Sequence, residues 1–193
     1  MSKPVKAVPP VAGAKLPKKG KLAFHYQRSP THKHQGVDLV ARQGTPVRAS
    51  LPGIVEVASS ELAQGFSGYG RVVVVRSARE ETPEGTNPVW CLYAHLDQVL
   101  VKSGERVVSG QTIATVGDTC FKREDPEHRC SAPHLHFEVS PRRYPQPSES
   151  PRLDPVQMLL TRGNAKRNAG VSLLVVVVLA VAQWLAEQFG QGK

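Results

Sequence analysis

A chain of 193 residues is long enough for one domain of ordinary size with accessory segments. Its formal net charge of +9 draws it toward polyanions, yet aromatics at 6% are not interleaved with the basic residues, which excludes a stacking platform for single strands, and no specific nucleic-acid partner is expected. Three cysteines, Cys91, Cys120 and Cys130, without any CxxC pair, exclude both a disulfide framework and a zinc knuckle.

In chain order, residues 1–20 are rich in Lys, Pro, Ala and Val and read as a flexible basic tail. Pro4, Pro9, Pro10 and Pro17 interrupt the apolar positions and exclude the core of a signal peptide. Residues 21–144 predict an all-β domain, a compact antiparallel sheet of barrel-like form, with strands at 46–49, 53–59, 71–76, 89–95, 106–108, 112–116 and 134–139. The four valines at 72–75 suit a strand covered on both faces, and Cys91 reads as a buried free thiol. Residues 145–168 hold a Pro-rich linker, a short helix over 153–160 and a basic hinge; Asp154 is its N-cap and Pro155 its first residue.

Residues 169–186 are almost wholly apolar, with Trp184 near the far end. At ~1.5 Å per residue such a helix spans roughly 27 Å, so a transmembrane anchor in a lipid membrane is expected, followed by a short tail at 187–193. Arg162, Lys166 and Arg167 precede this span and Lys193 follows it, which puts the domain on the cytoplasmic side.

The chemistry-bearing residues lie in three places. His34 and Asp38 flank Gly36, and residues four apart in a straight strand lie about 13 Å from each other, so convergence on one metal needs a bend, which Gly36 can supply. His134 and His136 share one face of a strand by alternation. His95 closes another strand. No HExxH helix is present.

HxGxD, a downstream HxH and an intervening Tyr-Ala-His-Leu together resemble the lysostaphin-type zinc endopeptidases of bacterial and phage cell-wall lysis. The resemblance extends over most of 21–160 and includes Gly68-Tyr69-Gly70, Ser103-Gly104-Glu105, Gly117-Asp118-Thr119 and Leu153-Asp154-Pro155. It implies one zinc ion per chain, held by His34, Asp38 and His136, with His95 and His134 as catalytic partners and peptidoglycan peptides as substrate. Three protein ligands leave a position for water, as catalytic zinc requires. His32 has no place in the pattern and is expected to be a solvated neighbour.

The sequence departs from that pattern at Cys120, which opens a charged insertion closed by Cys130. A Cys120–Cys130 disulfide is the expected state; two reduced thiols, or a second metal site with His128, are the alternatives. A biotinyl- or lipoyl-type carrier would need a lysine at a hairpin tip, and none is apparent. An inactive scaffold on the same fold is the other alternative to a peptidase. The anchor and the lack of a signal peptide suit either the virion membrane of a phage, with capsid or membrane proteins as further partners, or a bacterial inner membrane.

Overall fold

Valine-rich runs pair into sheet here because β-branched side chains are stiff at χ1 and pack well on a pleated surface. The computed structural model describes residues 6–78, 88–122, 125, 127–130, 132–147 and 150–160. Its strands are β1 (Gln27–Ser29), β2 (His32–Lys33), β3 (Val37–Val40), β4 (Pro46–Arg48), β5 (Gly53–Ser59), β6 (Arg71–Ser77), β7 (Val89–Val99), β8 (Arg106–Val107), β9 (Thr112–Val116) and β10 (His134–Ser140), followed by α1 (Pro155–Leu160). β1 and β2 form a separate hairpin. The other eight strands make one sheet in the order β3-β10-β7-β6-β5-β8, with β9 attached to β7 and β4 to β9. Every pairing among the described residues is antiparallel, in agreement with the expected antiparallel all-β domain.

Two apolar clusters cover the two faces of the central strands. Val73 and Val75 of β6 enter the larger core with Tyr93, Leu135, Phe137 and Ile113. Val72 and Val74 enter a smaller one with Phe66, Leu92 and Tyr144. Cys91 is a buried free thiol whose pKa burial pushes up to about 12.

Strand β7 contains the irregularity that matters for function. Cys91 and Tyr93 point into the larger core, while Ala94 belongs to the opposite face. Strict alternation would send His95 into that core. Instead the register against β6 shifts between Val73↔Tyr93 and Arg71↔Leu96, and His95 adopts a φ of 60°. The bulge turns His95 to Ala94's side and returns Leu96 to the larger core. A positive φ costs a non-glycine residue on the order of 1 kcal/mol, and His is among the types that tolerate it best.

Residues 6–20 are not the flexible tail that their composition predicts. Ala7 and Val11 are buried members of the larger core. The Val8 N–H donates to the Ser50 carbonyl at 3.0 Å, and the Arg48 N–H donates to the Pro10 carbonyl at 2.8 Å. Isolated apolar residues between prolines carry no periodicity, so the docking could not be read in advance. The helix begins at Pro155 rather than 153, because Leu153 pairs with Val139; the Asp154 carboxylate accepts the Val156 N–H at 2.8 Å as the expected N-cap. The span expected at 169–186 lies outside the described residues. Among the described residues no helix is long and apolar enough to cross a membrane.

Candidate metal centre and catalytic site

Sheet register assembles two thirds of the centre. Strands β10 and β3 are neighbours, and His136 stands directly opposite Asp38 as its cross-strand partner. His34 arrives from the segment leading into β3. Gly36 is needed there for close approach rather than for a bend, since a Cβ at that position would overlap the Phe137 carbonyl oxygen of β10. The arm thereby lies against the sheet and brings His34 Nε2 within 3.0 Å of Asp38 Oδ1 and 3.1 Å of His136 Nδ1. Asp38 Oδ1 and His136 Nδ1 are 2.8 Å apart.

Hydrogen bonds behind each ring decide which nitrogen faces the cluster. His34 Nδ1 donates to the Ala23 carbonyl at 2.9 Å, leaving Nε2 inward. His136 Nε2 donates to Glu138 Oε1 at 2.9 Å, leaving Nδ1 inward. Two imidazole nitrogens and a carboxylate oxygen are a zinc-type donor set, and their separations approach the ~3.3 Å edge of a tetrahedron with ~2.0 Å bonds. The residues therefore fit the metal that the resemblance implies.

Two further histidines border this triad. His134 Nδ1 donates to the Ala132 carbonyl at 2.8 Å, and its Nε2 lies 3.9 Å from Asp38 Oδ1. His95 Nδ1 donates to the Thr119 carbonyl at 2.8 Å. The His95 and His134 rings are 4.7 Å apart between centroids, and His95 is 5.7 Å from His136. The structure thus brings together all five residues singled out from the sequence. His32 is exposed on β2, outside the triad.

Charge is distributed unevenly among these groups. Burial alone would raise the Asp38 carboxyl, but its close polar contacts with His136 and His34 outweigh it and hold the carboxyl well below the usual range. Its second oxygen, Oδ2, accepts from Arg28 Nη2 at 2.6 Å. Burial lowers His34, and burial with the neighbouring His136 and His134 pushes His95 down to about 3. Burial would also lower His136, yet Asp38 and Glu138 on either side raise it to about 9.

Behind the triad lies a group that sequence reasoning missed. Glu138 is fully buried and accepts four donors: His136 Nε2, the Tyr69 hydroxyl at 2.7 Å, the Tyr144 hydroxyl at 2.7 Å and Arg152 Nε at 2.6 Å. Burial would raise this carboxyl, but His136 and Arg152 hold it down at about 2. A signal existed for Glu138, since His-x-His-x-Glu puts three polar side chains on one strand face. None existed for Tyr144 or Arg152, which reach the site from beyond β10.

Cys120 and Cys130 are joined as a disulfide, with Cα atoms 5.4 Å apart. Cys120 Sγ lies 3.5 Å from His95 Nδ1, so the bridge borders the site. His128 pairs instead with Asp125, at 3.2 Å.

Comparisons with known proteins converge on one group. The sequence pattern of Peptidase family M23 matches residues 32–148. A peptidoglycan DD-endopeptidase of Vibrio cholerae, ShyC, is 38% identical over 105 residues, 54% of this chain and 19% of the relative, so the match spans about a fifth of that relative's length. The catalytic domain of the antimicrobial peptidase lysostaphin from Staphylococcus simulans shares the fold, with a TM-score of 0.53 at 24% identity over 71% of this chain and 88% of that one. A zinc-containing peptidase from Vibrio cholerae has a TM-score of 0.50 at 26% identity, covering 71% of this chain and 36% of that one.

Proposed function

The chain belongs to peptidase family M23, and from that premise we propose that it is a zinc-dependent endopeptidase acting on the peptides of bacterial peptidoglycan. The observation that carries the reading is the triad itself: three donor atoms within 3.1 Å of one another, each aimed by a partner behind it. The DD-endopeptidase and the zinc-containing peptidase among the relatives support the substrate class and the metal.

His34, Asp38 and His136 would hold the zinc. When bound, it would lower the pKa of a water toward ~7 and polarise the scissile carbonyl. The protein's own task is to position and move protons. His95, kept neutral by burial, accepts a hydrogen bond from the attacking water and orients it. His134, with 20% of its side chain exposed, is the ring nearer solvent; it takes up the proton that the attacking water gives up and hands it to the departing amine. Arg28, beside the outer oxygen of Asp38, places a positive charge at the mouth of the site. The apolar sequence at 169–186 supports a membrane tether for this domain.

Zinc content and digestion of purified sacculi test the proposal together. The wild type should bind zinc and release cross-link peptides, chelation should abolish release, and zinc should restore it. His136→Ala should lose both metal and activity; an active His136→Ala protein would remove His136 from the ligand set. Stoichiometric zinc without cleavage of any sacculus type would favour the inactive-scaffold reading.

A further inference from the structure

A cleft runs past the triad between unlike walls. One wall carries the disulfide, Pro133 and His134. The other is the arm at 15–22, with Lys15, Lys18, Lys19 and Lys21, all exposed. The floor on that side is apolar: Leu16, Leu22 and Val40, the last 63% exposed at the end of β3. Asp38 is the single carboxylate among the described residues lining this half of the cleft, and Arg28 and the two histidines already neutralise it.

Lysines on a solvated face are the ordinary condition of a protein surface. Two features set this arm apart. It is pinned to the domain at both ends, by Val11 in the core and by the Leu22 carbonyl, which accepts the Asp38 N–H at 2.9 Å. The backbone that carries the charges is therefore held in place relative to the triad. The Ala23 carbonyl one residue further on also holds His34, so the same arm joins charge and site without a break. A cleft lined by one sign of charge concentrates ligands of the other. Lysine heads on flexible stems suit several spaced carboxylates better than one planar group.

We propose that the arm at 15–22 is a substrate subsite that binds the free carboxylates of a stem peptide beside the bond to be cut, an inference that rests on the peptidase reading above. Stem peptides of peptidoglycan are acidic wherever their side-chain and terminal carboxylates are left unamidated. The apolar floor takes their alanine methyl groups, and the enzyme distinguishes free-acid from amidated cross-links.

The probe is a soluble cross-linked peptide dimer, compared with the same dimer after amidation of its carboxylates. Wild-type enzyme should show a KM about tenfold lower for the free acid, as several exposed ion pairs together supply. In the triple variant Lys15→Gln, Lys18→Gln, Lys19→Gln that preference should vanish, with kcat unchanged, because the lost contacts bind ground and transition states alike. Equal KM values for both dimers in the wild type, or a preference that survives in the triple variant, would overturn the proposal. Calorimetric binding to His95→Ala repeats the comparison without turnover. Tighter binding of the free acid there supports the subsite even if the wild type cuts neither dimer, in which case only the peptidase reading falls. Lysine-dependent binding of a polyphosphate chain or of anionic lipid vesicles, with none of the free-acid dimer, would assign the arm to another ligand.

Discussion

At the scale of single residues, Glu138 shows how a buried charge is made tolerable and useful. An isolated carboxylate in an apolar interior is strongly disfavoured, yet four donors and the Arg152 charge compensate it fully. Its orientation then fixes which nitrogen of His136 faces Asp38. Carboxylates placed behind a metal-ligating histidine typically change metal affinity by about 10–100-fold. Glu138→Gln should therefore weaken zinc binding by that factor, read in competition with a chelator, while the melting curve of the chelated protein stays cooperative. Unchanged affinity would reduce Glu138 to a packing role. The triad was legible through the family resemblance that HxGxD and HxH carry, since spacing alone leaves His34 and Asp38 about 13 Å apart in a straight strand. Glu138 follows on the same strand face, but alternation alone does not say what stands on the far side of a ring.

At the scale of elements, the strand pattern was readable as apolar, Val-rich runs bounded by turn residues, as at 53–59, 112–116 and 134–139. It failed at β7, where the expected end at His95 was a bulge and the strand ran on to Val99. Nothing in Tyr-Ala-His-Leu reports a positive φ, because the turn is imposed by pairing with β6 and β9. The neighbouring disulfide closes a loop with a sequence separation of 10. Chain entropy assigns such a closure about 2–3 kcal/mol. Replacing both Cys120 and Cys130 by Ser should lower unfolding free energy by roughly that amount, measured by denaturant titration. Because Cys120 Sγ touches His95, the same variant should also lose activity at temperatures where it remains folded; retention of full activity would show the loop to be only a staple.

At the scale of the whole molecule, the N-terminal segment changes from accessory to structural. Its residues Ala7 and Val11 belong to the same core as Ile113 and Leu135. Val11→Ala removes about two buried methyl groups and should cost about 2 kcal/mol, visible as a lower denaturant midpoint with an unchanged slope. A free tail would show no shift. Such docking escapes sequence reading because each contact is made by one residue, with no periodic partner nearby.

Distance along the chain also has a consequence in time. His34 precedes His136 by 102 positions, and Arg152 comes later still. A ribosome therefore delivers two of the three triad residues long before the strand that completes them. Until β10 has cleared the exit tunnel and found its place between β3 and β7, the nascent chain holds no assembled triad. Any chemistry that needs the assembled triad is thus withheld from partial chains and becomes available only with the closing of the sheet.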